Sequence, residues 1–119
     1  MPARTTATIH SSIFPDIRKH FYHTAPPMER VHEGHSVQMP CVPPDSEPKA
    51  ELLWWKDGAR VHASGPDSNL IVANDGSLII SAARLMDAGN YSCEARNVAQ
   101  SRWTDGTRLE VYGEWLWAF

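Results

Sequence analysis

The sequence predicts an all-β fold, an antiparallel sandwich or barrel, and three observations carry that expectation. From His35 onward, short apolar runs alternate or cluster over three to seven residues. Turn residues separate nearly all of them, and no stretch keeps a convincing helical period. At 119 residues the chain suits one domain with a short tail at either end.

The elements follow in order. Residues 1–26 show no sustained period, and Ser11–Asp16 (SSIFPD) and Thr24–Pro27 (TAPP) read as loop or linker. In Ser36–Cys41 (SVQMPC), Val37, Met39 and Cys41 share one face of a strand. Val42–Lys49 (VPPDSEPK) is loop, and Ala50–Lys56 (AELLWWK) is a strand closed by the Asp57-Gly58 turn. Asn69–Ala73 (NLIVA) and Ser77–Ser81 (SLIIS) flank Asn74-Asp75-Gly76 as a hairpin, with Leu78 and Ile80 assigned to the core. Ala82–Gly89 (AARLMDAG) is the one candidate for helix, though too short for a stable one. Tyr91–Val98 and Thr107–Tyr112 complete the strands.

Composition excludes several classes. Residues 1–30 carry four Lys/Arg against two Asp/Glu, and residues 31–119 carry seven against twelve. An acidic body argues against nucleic-acid binding, which needs clustered cations to displace counterions. No run of about 18 apolar residues exists to insert in a membrane. The N-terminus lacks a secretory apolar run, which leads to the expectation of a piece of a longer chain. Cys41 and Cys93, 52 positions apart, belong to no Cys-x-x-Cys pair, so zinc has little support. If they bridge, a loop of that length is worth about 4 kcal/mol in the chain-entropy model, and a stable bridge implies an oxidising compartment. Two free buried thiols are the alternative.

Four residues then fall into register. Trp54 lies thirteen residues after Cys41, and Tyr91 lies two before Cys93, so a strand period of two points Tyr91, Cys93 and Ala95 inward together. This constellation resembles an immunoglobulin sandwich of the intermediate set. The resemblance implies an inter-sheet Cys41–Cys93 disulfide, a tryptophan packed on it, and a tyrosine corner in which the Tyr91 hydroxyl ties down the Asp87-Ala88-Gly89 turn. Trp54-Trp55-Lys56-Asp57-Gly58 is similar to that set's Trp-(aromatic)-Lys-Asp-Gly run, which makes Trp54 the core indole and leaves Trp55 on the outer face.

The span Ile17–Trp115 resembles, more narrowly, the second immunoglobulin domain of the Unc-five class of netrin receptors. The likeness rests on Ile17–Phe21 (IRKHF), on CVPPDSEPKAELLWWK with its Pro43-Pro44 pair, and on SLIISAARLMDAGNYSCEARNVA. It implies an extracellular, cell-surface module of an axon-guidance receptor that binds netrin without catalysis or cofactor, beside neighbouring immunoglobulin and thrombospondin domains. Residues 27–112 would form the domain, 1–26 a linker or the end of a preceding domain. Residues 113–119 (YGEWLWAF from Tyr112) resemble a truncated start of a thrombospondin type 1 repeat, although Trp115 and Trp117 are too close for its Trp-x-x-Trp spacing. The loop that is basic in the family reads Gln-Ser-Arg-Trp here, so glycosaminoglycan binding rests on Arg102 alone. A spacer immunoglobulin domain of an adhesion or matrix protein is the alternative function.

Candidate ligand-binding residues are Trp55 and Trp103, with Lys56, Arg96 and Arg102 on the same sheet, because Trp and Arg dominate protein hot spots. The competing reading has each aromatic covered by a neighbouring strand or by the Pro-rich loop. Asn90-Tyr91-Ser92 is a glycosylation sequon whose Asn90 should point outward. His20–His23 (HFYH) and His32–His35 (HEGH) space histidines three apart, but neither has a third ligand at a set distance, so solvated surface histidines are expected. No nucleophile–base or phosphate-loop motif marks an enzyme.

Overall fold

The computed structural model describes residues 21–62 and 69–113. The expectations for residues 1–20 and for 114–119, including Trp115 and Trp117, lie outside the described residues.

Eleven short strands are described: β1 (His23–Thr24), β2 (Met28–His32), β3 (Val37–Met39), β4 (Cys41–Val42), β5 (Glu51–Lys56), β6 (Ala59–Arg60), β7 (Leu70–Val72), β8 (Leu78–Ile80), β9 (Gly89–Arg96), β10 (Ser101–Trp103) and β11 (Thr107–Tyr112). One layer runs β2-β11-β9-β5-β6, with β10 also paired to β9. The other layer holds the β3-β8-β7 ladder and the β1-β4 pair. β3 and β4 are one extended run interrupted at Pro40, which has no N–H to give a ladder.

The core lies between the layers. Met39, Cys41, Leu78, Ile80, Tyr91, Cys93, Ala95 and Leu109 are all at most 1% exposed, and Val31, Trp54 and Ala83 join them. Period-two alternation explains the set: Tyr91, Cys93 and Ala95 on β9 face Lys56, Trp54 and Leu52 on β5 one for one. The Cys41–Cys93 disulfide spans the layers with Cα atoms 6.5 Å apart. Trp54 pairs with Cys93 in the ladder, and its indole N–H donates to the Gly76 carbonyl at 2.8 Å. Gly76 is required there. Its φ is +94°, and a Cβ would meet the Leu52 side chain and stand 2.7 Å from the Cys41 carbonyl oxygen.

The tyrosine corner is present. Tyr91 Oη donates to the Asp87 carbonyl at 2.6 Å, while the Asp87 carboxylate accepts from Asn69 Nδ2, the Arg84 N–H and the Arg84 guanidinium. Burial alone would raise Asp87, but the bonds from Arg84 and Asn69 and the Arg84 charge hold its carboxyl below the ordinary range.

As expected of so short a segment, Ala82–Gly89 forms no α-helix; it holds a 3-10 turn at Leu85–Asp87, after which Ala88 is extended. Two expectations differ from the structure. The sandwich takes in chain before residue 27. Phe21 and Ala25 pack against the core, and β1 pairs with β4 through His23–Val42 and Thr24–Cys41. Beyond Pro26-Pro27 the chain changes layer, and β2 runs parallel to β11 over five residue pairs.

Candidate recognition face

The β9–β10 hairpin and β5 together build an outward face. Three cross-strand registers place Leu53 and Trp103 on either side of Glu94, Trp55 beside Ser92, and Glu51 and Ser101 on either side of Arg96. Arg60 on β6 stands opposite Trp55. The Trp55 and Trp103 ring centroids are 5.3 Å apart at an interplanar angle of 45°, within the range of favourable aromatic pairs. Trp103 is 48% exposed, and Trp55 is half-buried beside it.

Glu94 sits at the centre and is only 2% exposed. A buried carboxylate is costly unless every lone pair is met. Here Trp55 Nε1 donates to Oε1 at 3.0 Å, Arg96 Nη2 to Oε1 at 3.0 Å, and Arg96 Nε to Oε2 at 3.1 Å. The last two form a bidentate fork, the strongest protein arrangement of this kind. Burial pushes the Glu94 carboxyl up, but the bonds from Arg96, Ser101 and Trp55 and the Arg96 charge outweigh it, so it stays ionised below the ordinary range. The result is a fixed geometry for Trp55 and Arg96, set by a side chain that reading along the sequence passed over. The available signal was parity: Glu94 alternates with Cys93 and Ala95 and must face the same way as Trp55.

The structure divides the five binding candidates. Trp55, Arg96 and Trp103 share the outward face. Lys56 does not, because it has the parity of Trp54, and its Nζ donates to the Met86 carbonyl at 2.6 Å. Arg102 pairs with the inward Ala95 and turns toward a cleft of about 580 Å³. That cleft lies between residues 21–27 and 102–107, lined by Phe21, Pro27, Trp54, Tyr91 and Asp105 among others. It opens because β2 covers β11 only, while β1 has gone to the other layer and leaves β10 paired to β9 alone.

Asn90 is exposed at the start of β9, with its N–H donating to Asp57 Oδ1 at 2.9 Å, so its side chain is clear of the core. His32 and His35 meet edge to face at 5.6 Å, and among the described residues no group of three or more His, Cys, Asp or Glu could hold a metal. His20 lies outside them.

Comparison with known proteins fits this architecture. Residues 22–97 match the immunoglobulin domain family. The chain is 33% identical over 112 residues to a netrin receptor, unc-5, of Drosophila melanogaster, covering 94% of this chain and 10% of the relative. It is 35% identical over 102 residues to the netrin receptor UNC5D of Rattus norvegicus, covering 86% and 10%. The chain thus spans about a tenth of the length of these relatives. Among solved structures, the tandem immunoglobulin repeats of Dlar superpose with a TM-score of 0.71 at 24% identity, over 88% of this chain and 53% of that one, a likeness of fold alone.

Proposed function

Because this chain belongs to the immunoglobulin domain family, we propose that it is an extracellular recognition domain of a netrin-receptor type, binding a protein ligand without chemistry. The observation that carries this reading is the Trp55–Trp103 pair, held outward on a sheet by the buried Glu94. Large rigid aromatics beside an arginine are the residues that dominate protein interfaces. The Cys41–Cys93 bridge supports placement in an oxidising, extracellular setting at the cell surface, and the exposed sequon at Asn90 is the site of a glycan. The ligand class is netrin, as the names of the relatives suggest. Neighbouring immunoglobulin and thrombospondin domains would flank the module, following the resemblance.

Surface plasmon resonance against immobilised netrin tests the reading. Trp103→Ala should weaken binding by about tenfold or more, the loss of about 1.4 kcal/mol or more expected of an interface tryptophan. A folded chain with no affinity, or a Trp103→Ala variant that binds as well as the parent, refutes it and leaves the spacer reading.

A further inference from the structure

Which chemistry fits the outward face depends on how its charges and donors are already spent. Arg96 is the one cation beside the tryptophan pair on β9, and its Nε and Nη2 are committed to Glu94 in a bidentate fork. The fork pins the guanidinium plane beside the tryptophan pair, and its Nη1 and one Nη2 N–H are not committed to Glu94. The Trp55 indole N–H is committed to Glu94, so the exposed part of that ring is carbon only. Trp103 differs: its indole N–H has no partner among the described residues. The remaining charges on the face are Glu51 and Arg60, both exposed and of opposite sign. Two cations, Arg60 and Arg96, thus meet two anions, Glu51 and Glu94. Lys56 and Arg102 have inward parity and do not add to them.

Resting on the recognition reading above, we infer that the partner surface covering this face is uncharged. It is a protein segment that lays apolar or flat side chains, such as proline or an aromatic, across Trp55, Trp103 and the Arg96 plane. One of its backbone carbonyls accepts from Trp103 Nε1. An anionic glycan finds no cationic excess to hold it, because the two arginines of the face are matched by two carboxylates, Glu51 and Glu94. Complementarity here is of shape and π-surface, with charges balanced inside the domain before any partner arrives.

The test has two arms on the full chain. In the first, which needs no ligand, tryptophan fluorescence is quenched with iodide and with caesium at about 0.1 M ionic strength. The Trp103 part is isolated by difference from a Trp103→Phe variant, and each quencher is normalised to free N-acetyltryptophanamide. Quenching by the two ions should agree within about threefold, whereas a cationic face at a few kT would favour iodide well beyond that. In the second, netrin binding is measured at about 0.1 M and about 1 M NaCl, over which the Debye length falls from about 10 Å to about 3 Å. Affinity should change by less than about threefold, and heparin should not compete. An iodide preference above about threefold, a larger loss of affinity in salt, or competition by heparin that Arg96→Ala abolishes would overturn the inference. Balanced quenching with no netrin binding at all refutes the ligand class named above and still supports a neutral face.

Discussion

Removing the Tyr91 hydroxyl isolates one interaction with little else disturbed. Tyr91 is 1% exposed, and its Oη–Asp87 carbonyl bond is 2.6 Å long. Tyr91→Phe keeps the ring and its packing, so the hydrophobic contribution is retained. What is lost is one buried hydrogen bond, and the Asp87 carbonyl is left without that donor. Such a loss costs about 1–3 kcal/mol. With a urea slope of about 2 kcal/mol per molar, the unfolding midpoint should fall by about 0.5–1.5 M. A pH dependence adds a second check. Burial, and then the nearby carboxylates of Asp87 and Asp57, push the Tyr91 hydroxyl well above the ordinary tyrosine value. The unfolded chain therefore releases that proton first, near pH 10, while the folded chain keeps it. Stability from this group is complete below about pH 10 and declines above it, by up to about 1.4 kcal/mol per pH unit. The phenylalanine of the variant cannot titrate, so parent and variant should converge as the pH rises. A midpoint unchanged at neutral pH, or a gap that stays constant to about pH 11, would refute the reasoning.

Other outcomes follow from the same structure. Gly76→Ala places a methyl group against Leu52 and the Cys41 carbonyl at a positive φ, and should cost at least about 1–2 kcal/mol in the same urea assay. Asp87 and Glu94 are both held below the ordinary carboxylate range, so their stabilisation is present above about pH 4 and is lost as the pH falls through their lowered values. An Asp87→Asn, Glu94→Gln double variant should be less stable than the parent at neutral pH and show a flatter acid limb. Expressed through a secretory pathway, the chain should lose mass on treatment with a peptide N-glycosidase, and Asn90→Gln should already run at the lower mass.

Most of the sandwich was legible because its signals are local or periodic. The alternation in Val37–Cys41, the turn at Asn74-Asp75-Gly76 and the Tyr91–Cys93 spacing each fix a face or a corner without knowledge of the partner strand. β1 and β2 were not legible for the opposite reason. In Met28–His32 only Val31 is buried, and the strand is defined by parallel pairing to residues about 80 positions away. The candidate face was legible in part. Trp55, Trp103 and Arg96 lie together, yet strict parity separates Lys56 from Trp55 and Arg102 from Trp103, which grouping by proximity in sequence obscured. Glu94 escaped because a buried acid between two core residues shows its purpose only when three strands bring Trp55, Arg96 and Ser101 to it.

The parallel β2–β11 ladder also decides how the domain bears tension. A pull toward the start of the chain loads the short β1–β4 pair first and then draws β2 backward from Met28, and a pull toward the end draws β11 forward past Tyr112. Since the two strands run the same way, the load falls along them in shear, and five residue pairs must fail together instead of unzipping singly. Once they part, the sulfur link between Cys41 and Cys93, 52 positions apart, still withholds the loop between them from extension. Under force the molecule lengthens only by the segments outside that loop.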